Sequence, residues 1–235
     1  MANSTVDSLD LYAKVEDLLG VKEVAPKLYA HYLLFLQTID FDTLLDVGCG
    51  SGDFLRQIGD ALDIPTRKGI DLSPKMVEQT LAQGLDAEVI DLCVLGGEYD
   101  VITAVFDMVN YLDKKALAPF LQCVTNHLKP NGYFLCDINT LYGFENVAVG
   151  SFIVDDESRF LTVDSDFEEG VYQAEFTLFE KEGEQFRKSQ ETIQQYFHDV
   201  EEIISLSGLE LVQMDEVNLY DFEEADKLFL VLRKK

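Results

Sequence analysis

From residue 42 onward, short apolar runs alternate with helical stretches, and this alternation constrains the fold more than any other feature of the sequence. Strands are predicted over 43–47, 67–71, 86–90, 100–105 and 132–138, with helices over 53–61, 74–83 and 113–127 between them. A strand that returns through a helix must pair in parallel, by a right-handed crossover, so the pattern specifies a twisted α/β sheet. Local punctuation agrees. Ser73 and Pro74 suit an N-cap and first helical position, and Lys129-Pro-Asn-Gly132 suits a turn. Residues 9–39 read as helical, with Leu11, Val15, Leu18 and Leu19 at helical spacing and a second helix over 27–37 opened by Pro26. Between about 150 and 197 the apolar period falls to nearly two, with turns at Glu168-Glu-Gly170 and Lys181-Glu-Gly183. That stretch reads as an antiparallel meander of three strands, followed by a helix near 199–207 and strands over 209–217 and 227–232. The expected organisation is a helical cap over 1–40, an α/β core over 41–150 and 198–235, and a β insertion over 151–197 standing above one sheet edge.

The first predicted strand runs into a glycine loop, LLDVGCGSGDF, residues 44–54. A dinucleotide fold would follow Gly48 and Gly50 with a third glycine at position 53, but Asp53 stands there and the third glycine is Gly52. Asp46 lies two residues before the first glycine, at the carboxyl end of the strand. A carboxylate would repel a pyrophosphate and attract a cation, so the ligand implied carries positive charge near the loop. Asp71 ends the second strand, 23 residues after Gly48, near the spacing of the acid that accepts from ribose hydroxyls. Its alternative is helix capping, for which Ser73 is the better residue. Asp91 ends the third strand. Three successive strands thus end in an acid at the edge where open α/β sheets bind ligands.

With these residues the sequence resembles the class I S-adenosylmethionine-dependent methyltransferases, whose first motif is an acid followed by glycines at alternate positions. The resemblance implies a Rossmann-like seven-stranded sheet, strands one to five parallel and the last strand antiparallel. It implies S-adenosyl-L-methionine as cofactor, held by Asp46, Gly48, Cys49, Gly50, Gly52, Asp71 and Leu72. Asp91 and the Leu92 amide would meet the adenine, and Phe106 would lie beside the methyl donor. The segment VFDMVNYL departs from the N-P-P-Y-like signature of enzymes that methylate base nitrogens or glutamine amides. Together with LKPNGYF and DINT it is similar to a subgroup of small bacterial methyltransferases, some acting on amino sugars. Methyl transfer needs mainly placement of the nucleophile, with a base required for a hydroxyl. Candidates for that work are Tyr111, Asp107 and Asn110, with Asp137 and Asn139 on the neighbouring strand. Tyr12 would close over the cofactor, and His198 reads as a residue near a helix start.

Composition narrows the partners. Lys and Arg number 18 against 44 Asp and Glu, a net charge of −26, which disfavours nucleic acid and anionic membrane surfaces. The acidic insertion either solvates an outer face or selects a cationic substrate. The start MANSTVDSLD lacks the cationic and apolar parts of a signal peptide, and no apolar run is long enough to span a membrane. Cys49, Cys93, Cys123 and Cys136 form no CxxC pair, and the three histidines are isolated, so a metal site is not expected. Reduced thiols and a cytoplasmic location are. The expected function is transfer of a methyl group to nitrogen or oxygen of a small polar molecule, amine-bearing molecules among them, by a monomer or homodimer. The alternatives are a methyltransferase acting on tRNA or protein, a non-catalytic protein that binds S-adenosylmethionine or S-adenosylhomocysteine, and, more weakly, a nicotinamide oxidoreductase.

Overall fold

The computed structural model describes residues 11–235. Residues 1–10, on which the reading of an absent signal peptide rests, lie outside the described residues. The chain supplies five strands, β1 (Thr43–Val47), β2 (Thr66–Asp71), β3 (Ala87–Val89), β4 (Tyr99–Ala104) and β5 (Leu128–Asn139). Then come β6 (Gly150–Asp155), β7 (Arg159–Glu168), β8 (Val171–Glu182) and β9 (Gln185–Tyr196), and finally β10 (Glu210–Val217) and β11 (Lys227–Arg233). The larger sheet has seven strands in the order β10-β11-β5-β4-β1-β2-β3. β1 to β5 pair in parallel, and β11 runs antiparallel to both of its neighbours. This is the expected α/β sheet. The reversal of strand order between β1 and β4 opens a crevice at their carboxyl ends.

The sheet is buried on both faces. Helices α1 (Val21–Leu36), α2 (Asp53–Ala61), α3 (Pro74–Ala82), α4 (Lys114–His127) and α5 (Val200–Ser207) complete the core. Along β11, Phe229 and Val231 enter one apolar cluster while Leu230 and Leu232 enter the other, because successive strand side chains point to opposite faces. Each such side chain stabilises the fold by about 1.5–3 kcal/mol. The helix α1 closes one face with Leu28, Tyr32, Phe35 and Leu36.

β6 to β9 form a separate four-stranded antiparallel sheet in the order β6-β7-β8-β9. β6 is a strand the sequence reading did not include. The inner face of this sheet carries Leu161, Val163, Ala174, Phe176, Leu178 and Ile193, which pack with Leu11 and Val15 into a third cluster. Residues 11–15 are helical. Arg159 ties this segment to the sheet by two bonds to the Asp17 carboxylate, at 3.0 and 2.7 Å. The insertion and the N-terminal segment therefore pack against one another, and Tyr12 and Glu16 of that segment line the crevice. Among the acids of the insertion, Asp156 pairs with Arg159 and Glu180 with Lys14, while Asp164, Asp166, Glu168 and Glu175 are exposed. They solvate the outer face.

Two expectations fail. Pro26 does not open a helix: α1 begins at Val21, after Gly20 in a left-handed conformation, and Pro26 lies within it. It sits just past the first turn, where its missing N–H removes a single intrahelical bond. The thiols are not all free either. Cys93 and Cys123 form a disulfide, while Cys49 and Cys136 are free and buried. The two bonded cysteines are 30 residues apart in sequence and meet because α4 packs on the turn Leu92–Val94. No described helix is long and apolar enough to cross a membrane.

Candidate active site

A cavity of about 560 Å3 opens at the carboxyl ends of β1, β2 and β4, within the size range of small-ligand clefts. Its lining includes Asp46, Gly48, Cys49, Gly50, Asp71, Leu72, Asp91, Leu92, Phe106 and Tyr111, so most of the sequence-predicted residues converge there. Gly52, Asp107 and Asn110 do not line it.

The loop is built by its own backbone. Gly48, Gly50 and Gly52 all have positive φ, of 72°, 53° and 87°. At Gly48 a Cβ would stand 2.6 Å from Met108 Cγ, so only glycine fits. Gly52 turns the chain into α2 from a left-handed conformation, with a Cβ position 2.8 Å from Thr80 Cγ2. The Gly48 and Cys49 amides donate to the Ile70 carbonyl, at 2.8 and 3.0 Å. Thr80 Oγ1 donates to the Gly50 carbonyl at 2.8 Å. Asp71 then joins two loops: Oδ2 accepts the Gly50 amide at 3.0 Å and Oδ1 the Ser73 amide at 2.8 Å. Ser73 Oγ caps α3 by accepting the Met76 amide, as expected. Asp91 is exposed and accepts the Cys93 amide at 2.7 Å, which turns the chain so that Leu92 is buried behind the cleft. Leu72 is 50% exposed on the lip, an apolar surface suited to a flat ring.

The floor is acidic. Asp46 is 1% exposed, and its Oδ1 accepts from Thr103 Oγ1 at 2.7 Å. Burial pushes its carboxyl up to about 7, against the Thr103 bond, and Asp71 adds to the rise. Burial also raises the Asp71 carboxyl, against its backbone bonds. Among the described residues neither carboxylate has an ion-pair partner. A buried Asp46 and a half-buried Asp71, neither with a cation beside it among the described residues, fit a cationic ligand at the glycine loop and would repel a pyrophosphate.

Next to this pocket, Phe106 and Asp107 turn the chain out of β4. Tyr12, Tyr111, Tyr172 and Tyr220 gather round Asp107 from four different segments. Burial raises all four phenols above the ordinary tyrosine range, and the Asp107 carboxylate adds to each. Tyr12 packs edge-on against Phe176 of the insertion, 6.4 Å between ring centres. Asn110 does not face the cavity. It is fully buried, its Nδ2 donates to the Tyr196 carbonyl at 2.8 Å, and its Oδ1 accepts the Asn139 amide at 3.0 Å. Both ends of its amide are thus used to bind the insertion to β5. His198 is 1% exposed, its Nε2 2.9 Å from the Leu112 carbonyl, just ahead of α5.

Sequence reasoning missed the partners of Asp107. Lys227 Nζ donates to Asp107 Oδ1, and Gln195 Nε2 donates to Oδ2 at 2.5 Å. Lys227 left one trace: it is a lysine directly before the apolar run LFLVL. Gln195, in a polar stretch of β9, left none.

A family model described as "Methyltransferase domain" matches residues 44–132. No curated protein matches the chain. A solved S-adenosylmethionine-dependent methyltransferase from Clostridium acetobutylicum ATCC 824 is similar, with 22% identity and a TM-score of 0.77 over 95% of this chain and 99% of that one. The sugar N-methyltransferase KedS8 from Streptoalloteichus sp ATCC 53650 is similar at 18% identity and a TM-score of 0.72, over 97% and 93%. CalS10 from Micromonospora echinaspora, an amino pentose methyltransferase solved with S-adenosylmethionine bound, is similar at 22% identity and a TM-score of 0.67, over 91% of each chain.

Proposed function

We propose, from the match of residues 44–132 to a methyltransferase-domain family model and from the geometry of the cavity, that the chain transfers a methyl group from S-adenosyl-L-methionine to the nitrogen of a small amine. The observation that carries the cofactor assignment is the pair Asp46, buried, and Asp71, half-buried, which both line the cavity without a cationic partner among the described residues. S-adenosylmethionine is a nucleoside with two cationic groups and no phosphate, so it meets the need of both acids. Asp71 and the Asp91 turn would hold its ribose and adenine, with Leu72 and Leu92 against the ring. When bound, the cofactor supplies a sulfonium-activated methyl group that a lone pair displaces in line.

The chain's own task is placement. Nitrogen is favoured over oxygen because the groups around the acceptor suit a cation. As nitrogen gains a methyl group it becomes positively charged. Tyr12 and Tyr111 line the cavity, and their electron-rich rings would meet a charge developing there. Tyr111 orients the incoming nitrogen, and the Asp107 carboxylate, which adds to the rise of both phenols from behind the lining, favours the charge formed on it. The similarity to KedS8, a sugar N-methyltransferase, and to CalS10, an amino pentose methyltransferase, supports an amine acceptor.

Two measurements test the reading. Calorimetry should show binding of S-adenosylmethionine and S-adenosylhomocysteine and none of nicotinamide dinucleotides; dinucleotide binding alone overturns it. A screen of small amines, amino sugars and hydroxy compounds should show S-adenosylhomocysteine release with an amine. Release only with tRNA or protein, or with nothing while the cofactor still binds, overturns the acceptor assignment.

A further inference from the structure

Phe106 and Asp107 are consecutive non-glycine residues in the left-handed region, at φ of 56° and 50°. Each such conformation is unfavourable for a residue with a side chain unless its surroundings hold it. Asp137, wholly buried near the end of β5, does so. Its Oδ1 accepts the Phe106 amide at 2.7 Å and its Oδ2 the Asp107 amide at 2.8 Å, so two successive N–H groups close on one carboxylate. Tyr32 donates its hydroxyl to Oδ1 as well, at 2.7 Å. This arrangement places a negative charge in the core, within reach of a second one on Asp107. Burial raises the Asp137 carboxyl, and Lys227 opposes the rise.

Lys227 opens β11 opposite Asn139 and is 3% exposed. Its ammonium donates to Asp107 Oδ1 and to Asn139 Oδ1, the latter at 2.7 Å, and lies 3.5 Å from Asp137 Oδ2. Its three hydrogens thus have three oxygens to meet, and the lysine has no donor left for a ligand. One cation serves two carboxylates that would otherwise repel across a few ångströms.

We propose that Lys227 is a positioning residue of the methyl-transfer site: its ammonium, seated between Asp137 and Asp107, fixes the left-handed Phe106–Asp107 corner and so holds Phe106 and Tyr111 where they line the cavity. The proposal rests on the reading of this cavity as the methyl-transfer site. It also gives the last strand of the sheet, far from the glycine loop in sequence, a direct part in the site.

The test uses Lys227→Met, which keeps the length of the side chain and removes the charge, and Lys227→Arg, which keeps the charge. Amide hydrogen exchange at Phe106 and Asp107 reports on the corner without any acceptor. In Lys227→Met it should quicken at least about tenfold, with Ile102 and Thr103 of β4 unchanged. Calorimetry should find S-adenosylhomocysteine affinity within about threefold of wild type. With an amine that turns over, kcat should fall about a hundredfold at an unchanged KM for the methyl donor. Lys227→Arg should restore slow exchange and part of kcat. Unchanged exchange at the two amides in Lys227→Met, or quickening in step with β4, overturns the proposal, as does an unchanged kcat. Should Lys227→Met not fold, Asn139→Leu, which removes one of the ammonium's acceptors, carries the same exchange test with the same two outcomes. Failure of the functional reading looks different: no amine is methylated by the wild-type protein, while exchange at the corner still responds to position 227.

Discussion

Replacing Asp46 by asparagine should stabilise the ligand-free protein and weaken its hold on the cofactor. Burial places the Asp46 carboxyl at about 7, against 3.8 for an ordinary aspartate. Between these two values the folded protein keeps a proton that the unfolded chain has released. The favourable contribution of Asp46 is therefore complete below about pH 4 and is lost as pH rises through about 7. A gap of roughly three units at about 1.4 kcal/mol each sets a ceiling of about 4 kcal/mol on that loss. Asp46→Asn removes the titrating group and retains an oxygen for the Thr103 hydroxyl. At pH 8 the ligand-free variant should melt several degrees higher than wild type by scanning calorimetry. Cofactor binding moves the other way. A carboxylate and a cation ~6 Å apart at an effective dielectric of about 20 attract by about 3 kcal/mol, so the variant should bind S-adenosylmethionine roughly a hundredfold less tightly at pH 8. Wild-type affinity should rise about tenfold from pH 6 to pH 8 as the carboxyl ionises, and that of the variant should stay flat. S-adenosylhomocysteine keeps the ammonium but lacks the sulfonium, so the difference between the two losses identifies which cation Asp46 meets. A variant that melts lower without ligand and binds both compounds like wild type would refute the reasoning.

Other perturbations should separate site from scaffold. Asp71→Asn sets an amide NH2 against the Gly50 or Ser73 N–H, and calorimetry should show at least about a tenfold loss of cofactor affinity from the lost bond and charge. Asn110→Leu leaves the Tyr196 carbonyl and the Asn139 amide unpaired; denaturant unfolding should show about 2–4 kcal/mol of lost stability, with cofactor affinity unchanged. Reducing the Cys93–Cys123 disulfide, which spans 30 residues, should lower stability by about 3–4 kcal/mol on the chain-entropy estimate; Cys123→Ser should match the reduced protein in the same unfolding experiment, and reductant should then have no further effect.

The cofactor side of the site was legible in the sequence because it is local. β1, its loop and α2 occupy the residues expected of them, 43–47 and 53–61, since an apolar run, a glycine at every second position and an amphipathic stretch each act on their immediate neighbours. Asp46, Asp71 and Asp91 could be brought to one edge from sequence alone, because parallel strands joined by right-handed crossovers place their carboxyl ends together. The part of the site built around Asp107 depends on long-range contacts. Asp107 takes its orientation from Asp137, Gln195 and Lys227, which lie 30, 88 and 120 residues further along the chain. Asn110 and Tyr111 are adjacent in sequence, yet one is a buried brace and the other lines the cavity. The disulfide follows the same rule, since two widely spaced cysteines meet only when α4 packs on the turn after β3. Periodicity and turn chemistry determine which strand follows which. Only the packed molecule decides which buried charge faces another, because that depends on distances of a few ångströms between residues the chain itself holds far apart.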